Sequence, residues 1–304
     1  MKARPLLPRA ALALFLALAA APSGAGTEGG TGPGNAPGSA PAAPAPATAE
    51  GLLSFADALL AAGESFRAAT EYLRFLHHFG DGPEAGRALE GLGRAYAQAG
   101  RWDEAAATFR LLAQGGARGV VEVAQARRLL GSALYRGERY EDAARVLLAP
   151  GAEPAAVALG TLALLRAGRT TEAEAARPDL AAAYGALPRK NPATAGTLAA
   201  VLPGAGHLYA DRPRDAAVSF LLNAAFLWGT YEAVRREQWA LAGVLGLFEL
   251  GWYSGNVASA VNAAHKWNRR EEGRFFRSRE EGLVPRWGIV LGSGAAGATL
   301  AWGW

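Results

Sequence analysis

The stretch that decides the fold runs from residue 92 to 109: Leu92-Gly93-Arg94-Ala95-Tyr96-Ala97-Gln98-Ala99-Gly100-Arg101-Trp102-Asp103-Glu104-Ala105-Ala106-Ala107-Thr108-Phe109. Leu92, Gly93 and Tyr96 recur at helical spacing on one side of Gly100, and Ala105 and Phe109 do so on the other. Gly93 and Ala105 are small enough to let two antiparallel helices approach closely, and the aromatics fill the gaps between them. Asp103 and Glu104 fall at a helix start, where the dipole favours acids. Further copies lie to either side. Downstream, Leu130-Gly131-x-x-Leu134 precedes Tyr140 and Ala143, with Glu141 and Asp142 at the helix start. Upstream are Leu60, Phe66, Ala69 and Leu73, and a weaker last copy has Leu164, Gly168 and Ala173. The shared alanines 69, 105, 143 and 173 are 36, 38 and 30 residues apart, so the turns vary in length.

This pattern, with Gly93, Tyr96, Trp102, Ala105, Gly131, Tyr140 and Ala143 as its signature, resembles the tetratricopeptide repeat, whose period is about 34 residues. The segment Phe79-Gly80-Asp81-Gly82-Pro83-Glu84 looks like an inter-repeat turn with proline starting the next helix. The resemblance implies a solenoid of about four helix pairs over residues 50–185, with a groove for a protein or peptide partner.

The flanks differ in chemistry. Lys2, Arg4 and Arg9 precede the twelve apolar residues Ala10 to Ala21, the order of a secretory signal over 1–22. Residues 23–49 are a Pro/Gly/Ala linker too poor in large apolar side chains to offset its ordering entropy. Of the eight tryptophans only Trp102 lies before residue 227, so the second half is built for another environment. Apolar runs at 194–210, 216–234 and 240–264 predict three spans of a membrane domain over 186–264. A basic cytoplasmic loop follows at 265–286, then an apolar C-terminal segment at 287–304. Lys266, Arg269, Arg270, Arg274, Arg277 and Arg279 set that loop inside, which puts the repeats outside. A competing arrangement with cytoplasmic repeats and a re-entrant 194–210 segment fits the basic loop equally well.

Pro203-Gly204-Ala205-Gly206-His207-Leu208-Tyr209, followed by Arg212, resembles the signature of the bacterial two-transmembrane-helix domain family over about 70 residues. Ala210-Asp211 stands where a glycine after the tyrosine is usual.

The expected fold is therefore all-α: a tetratricopeptide-type helical repeat solenoid followed by a transmembrane helical bundle. The expected place is the bacterial inner membrane, with the repeat domain periplasmic. Glu249 lies in the middle of the longest apolar run, and Asn256 is seven residues on along nearly the same face. Asn223 and His207 are the nearest polar candidates to join them. Gly251 and Gly255, and Gly288 and Gly292, have the spacing of close helix packing, within one chain or between copies of a homo-oligomer.

Several classes are excluded. The absence of cysteine removes disulfides, thiolate nucleophiles and Cys-ligated zinc. His77 and His78 are adjacent and diverge on a helix, and His207 and His265 stand at the edges of apolar runs, so no metal and no other cofactor is expected. A net charge of +4 without a basic, aromatic-interleaved stripe argues against nucleic acid. No catalytic constellation is found. The sequence reads as a membrane-anchored cell-envelope scaffold or assembly protein, with the lipid bilayer and a repeat-bound protein as partners. The alternative is a small channel or transporter-like module regulated by its repeats.

Overall fold

The computed structural model describes residues 48–114 and 122–285. These form thirteen helices, and no strand occurs among the described residues: α1 (Ala49–Ala61), α2 (Ser65–Phe79), α3 (Ala85–Gln98), α4 (Trp102–Ala113), α5 (Val123–Arg136), α6 (Tyr140–Leu147), α7 (Pro154–Arg166), α8 (Thr170–Ala176), α9 (Pro178–Gly185), α10 (Pro192–Val201), α11 (Ala205–Tyr209), α12 (Pro213–Arg235) and α13 (Trp239–Glu280). The chain divides into two compact units, Met1–Arg177 with Gly282–Trp304, and Pro178–Glu281.

In the first unit each helix from α1 to α8 packs on the next. The leading helices of successive pairs also touch, α1 on α3 and α5 on α7. The result is four antiparallel pairs in a row, each joined by the same turn. A residue with positive φ (Gly63, Gly100, Glu138 or Gly168) ends the leading helix. The next residue donates its N–H five residues back: Glu64 to Leu59, Arg101 to Tyr96, Arg139 to Leu134, Arg169 to Leu164. Five positions after each positive-φ residue stands a fully buried alanine: Ala68, Ala105, Ala143 and Ala173. The first pair is thus one residue out of the expected register, since Ala68 rather than Ala69 is the counterpart of Ala105. Both members of the Ala68-Ala69 dipeptide are buried, which is why the pattern alone does not separate them.

The signature residues fall in the core or at its edge. A Cβ added to Gly93 would lie 2.4 Å from Cε1 of Phe109, so the aromatic ring of α4 packs directly against bare backbone of α3. Gly131 meets Leu147 in the same way in the third pair. Tyr96 is buried, with the Arg101 guanidinium 5.2 Å from its ring centre. Trp102 is half-buried, its Cβ against Gly137 at the end of α5. Tyr140 packs edge-on against Tyr135 at 5.4 Å.

The second unit overturns the expected transmembrane bundle. Among the described residues no helix is long and apolar enough to cross a membrane. The 194–210 run breaks at Leu202-Pro203-Gly204 into α10 and α11, of ten and five residues. A span needs about 20 residues. Helix α12 has 23 residues, but Ser219, Asn223, Thr230 and Glu232 dilute it. The 240–264 run is diluted by Glu249, Tyr253, Ser254, Asn256, Ser259 and Asn262. The inner-membrane location, its three-span path and the periplasmic side of the repeats lose their basis with these spans. So does a membrane channel module. Residues 265–280, expected to loop, continue α13 as one helix to Glu280. The 1–22 signal, most of the 23–49 linker and the 287–304 segment with Gly288 and Gly292 lie outside the described residues.

What replaces the bundle is a hairpin of α12 and α13, with α10 packed on α13 and α11 on both helices. The hairpin turn repeats the first unit's device: Glu237 has φ 60°, and Gln238 donates to Ala233 O. Its polarity is reversed from that of an ordinary helix pair. Asn223, Glu249 and Asn256 are buried along the seam, whereas Leu247, Trp228 and Leu250 are 72%, 70% and 69% exposed.

Candidate functional site

Three arrangements of side chains stand out. The first is a charged row along the leading helices of the repeats. Asp57 on α1 accepts from the Tyr72 hydroxyl at 2.5 Å and pairs with Arg87 on α3. Glu90 pairs with Arg94 one turn on and accepts from Gln125 of α5 at 3.3 Å. Arg128 on α5 reaches Glu153 at the start of α7 at 2.9 Å. The row thus crosses all four pairs. Asp57 and Arg94 hold equivalent positions of successive repeats, each following the small residue of its helix (Ala56, Gly93). Arg94 and Glu90 have side chains only 17% and 16% exposed, so their pairing is held in place rather than waving in solvent. Burial, and the neighbouring Asp57 carboxylate that accepts its hydrogen bond, hold the Tyr72 hydroxyl well above the usual phenol range. A hollow of about 30 Å³ beside Arg128 and Glu153 is far smaller than a small-molecule pocket.

The second arrangement is the turn made by Pro203-Gly-Ala-Gly-His-Leu-Tyr209. Gly204 has φ 91°, and a Cβ there would meet Ala216 O at 2.4 Å. At Gly206 a Cβ would meet Ala195 O at 2.1 Å, so α11 lies directly on α10. Lys190, which sequence reasoning passed over, clamps the turn. Its Nζ donates to Tyr209 O at 2.5 Å, pairs with Asp211 at 2.6 Å and sits 4.7 Å from the Trp267 ring centre. The Asn268 side chain closes a two-way pair with the Lys190 backbone, at 2.8 and 2.9 Å. Trp267 donates to Asp211 at 2.8 Å. The hydrogen bond from Lys190 holds the Asp211 carboxyl below its usual range. The only signal in the sequence was a lone lysine between two prolines, Pro188 and Pro192.

The third arrangement is the hairpin seam, which takes in all four intramembrane candidates. His207, Asn223, Glu249 and Asn256 are 2%, 1%, 8% and 5% exposed, and they are the buried polar residues of the second unit among those described. They form a line rather than one cluster. His207 Nε2 lies 3.1 Å from Ser259 Oγ. Ser219 donates to Asn256 at 2.6 Å, and Asn223 donates to Ser219 O at 2.6 Å. Burial pushes His207 down and Glu249 up from their ordinary values. Ser219 and Ser259 were missed in the sequence because small hydroxyls blend into apolar helices. Gly251 and Gly255 face away from the seam, with no atom within 4 Å of an added Cβ. Among the described residues no three His, Cys, Asp or Glu side chains gather as metal ligands.

No protein-family model matches the chain, and no curated protein matches it.

Proposed function

We propose that the protein is a scaffold that binds a protein or peptide partner along the leading helices of its four helix pairs. The observation that carries this reading is the charged row from Asp57 to Glu153. It runs across successive repeats and holds acids and bases in fixed pairs on an otherwise alanine- and leucine-rich framework. Partly buried charged side chains are costly to hold for stability alone, and well-packed apolar residues serve a repeat core as well or better. A row of them gives orientation and register to an extended partner of alternating charge.

The test places a photo-crosslinking residue at Gln125, within the row, and another at Arg145 on the opposite helix of the same pair. Capture of one defined protein from Gln125 and not from Arg145, abolished by Arg87→Glu with Arg128→Glu, is the expected result. Equal capture from both positions, or capture indifferent to the charge reversals, would sink the reading.

A further inference from the structure

Helix α12 carries two stripes in alternating steps of four and three residues, and only one of them faces a neighbour within the chain. The first, Ser219, Asn223, Phe226, Thr230 and Ala233, lines the seam with α13. Ser219 bonds to Asn256 there, and Asn223 and Ala233 are buried. The second follows it by one residue, about 100° around the helix: Phe220, Ala224, Leu227, Tyr231 and Val234. Its four large members are 48%, 55%, 61% and 41% exposed. The helices that pack on α12 are α13 and α11, the latter through the Gly204 turn at Ala216. Steps of four and three are the spacing of a helix that lies against another helix, and two such stripes about a quarter-turn apart belong to a helix with two neighbours, as in a four-helix bundle. Helix α13 repeats the arrangement. One residue past Leu245 and Glu249 of its seam stand Gly246 and Leu250, the leucine exposed and the glycine with no atom within 4 Å of an added Cβ. On an antiparallel pair, one-residue steps along both helices turn to the same side, so the two outer stripes make one face.

We infer that this face is covered by the same face of a second copy of the chain, the two hairpins closing a four-helix bundle about a two-fold axis at the level of Leu227. The register carries the argument. The Ser219–Asn256 bond puts Leu227, eight residues after Ser219, level with Phe248, eight residues before Asn256. A two-fold axis across the bundle at that level exchanges α12 positions about Leu227 and α13 positions about Phe248. Ala224 then meets Tyr231 of the second copy, Phe220 meets Val234, and Gly246 meets Leu250. Small residues fall opposite large ones on both helices, the self-complementarity that a two-fold contact requires. No charged residue lies between Asp215 and Glu232 on α12. Between Gln238 and Ala264 on α13 the one charged residue is Glu249, buried in the seam, so identical faces meet without repulsion. At their exposures Phe220, Leu227, Tyr231, Val234 and Leu250 offer roughly 500 Å² per copy, where a stable interface takes about 800 Å² from each partner, the balance coming from the backbone and small side chains between them.

The contact does not depend on the repeat-domain reading and is tested without it. Sedimentation equilibrium of the full-length protein in detergent-free buffer is expected to give a dimer at tens of micromolar. Leu227→Glu places two like charges at the two-fold axis and weakens association by about 100-fold or more, with helical circular dichroism unchanged. Leu227→Lys does the same, and mixing the two variants restores a dimer that neither forms alone. A wild-type chain that stays monomeric overturns the contact, as does one that floats as a monomer with neutral phosphatidylcholine vesicles. So do a Leu227→Glu protein that associates as the wild type does and a mixture of the Glu and Lys variants that stays monomeric.

Discussion

Replacing Gly93 by alanine puts a methyl group 2.4, 2.7 and 2.8 Å from three ring carbons of Phe109, a side chain with no exposed surface. Carbon atoms in contact prefer about 3.5–4.0 Å, so α3 and α4 must part by roughly 1 Å or the ring must leave its rotamer. Overpacking of this kind costs about 1–3 kcal/mol. Against it stands the gain of about 1 kcal/mol from replacing glycine by alanine inside a helix. The net expectation is a loss of up to about 2 kcal/mol, in place of the helix gain of about 1 kcal/mol. The same substitution at Gly251, where no atom lies within 4 Å, keeps only the helix gain and raises stability by about 0.5–1 kcal/mol. Urea unfolding followed by circular dichroism, with both variants beside the wild type, reads the two midpoints. A Phe109→Leu background should shrink the Gly93→Ala loss, since the ring that is struck has gone. A Gly93→Ala protein that gains as much stability as Gly251→Ala would refute the close contact. A Gly251→Ala protein that loses stability would mean that the open face of α13 is packed against something.

Three further outcomes follow from the side chains described. Tyr72→Phe removes a hydroxyl bonded to a carboxylate and should cost about 1.5–3 kcal/mol in urea unfolding, without a change in slope. Lys190→Met should lower the thermal midpoint of the second unit more than Arg189→Met does, because Lys190 bonds Tyr209 O, pairs with Asp211 and lies against Trp267, whereas Arg189 reaches Glu272 at 3.8 Å. Glu249 has a folded pKa raised by burial, so its contribution to stability is fully present below the unfolded value of about 4.3 and is lost as pH rises through the folded one. The wild-type midpoint should fall relative to that of Glu249→Gln over that window, and equal pH profiles would refute the assignment.

The repeat array was legible because its constraint is local and periodic. Gly93, Ala105, Gly131 and Ala143 mark close approaches that only small residues permit, and the αL turn keeps the count from one helix to the next. Two things escaped. Paired alanines hid the register of the first repeat. In the third, the positive-φ position is Glu138 although Gly137 precedes it, so composition points to the wrong residue. The second unit misled for a different reason. Averaged along the chain, 240–264 is apolar, but Glu249 and Asn256 are placed on one seam by helical spacing, and an average along the chain cannot see a face. Asn223, Glu249 and Asn256 were legible as polar residues within apolar runs. Ser219, which bonds Asn223 and Asn256, Ser259, which bonds His207, and the Lys190 clamp depend on the antiparallel register and on chain reversals that no local pattern encodes.

Helix α13 joins two unlike surfaces without a break. Its first 26 residues carry the apolar hairpin face and the Glu249 level, and its last 16 carry eight Arg and Glu side chains between Arg269 and Glu280. A straight helix of 42 residues is about 63 Å long, and nothing in its interior is a proline. Its charged end is not free: the Tyr184 hydroxyl donates to Glu272 at 2.6 Å, the Tyr184 ring packs on Phe275 and Phe276, and Asn268 is paired with the Lys190 backbone. The helix is therefore a strut, which fixes a patch of charge several turns away from the apolar hairpin face and keeps the two chemistries apart on one rigid element.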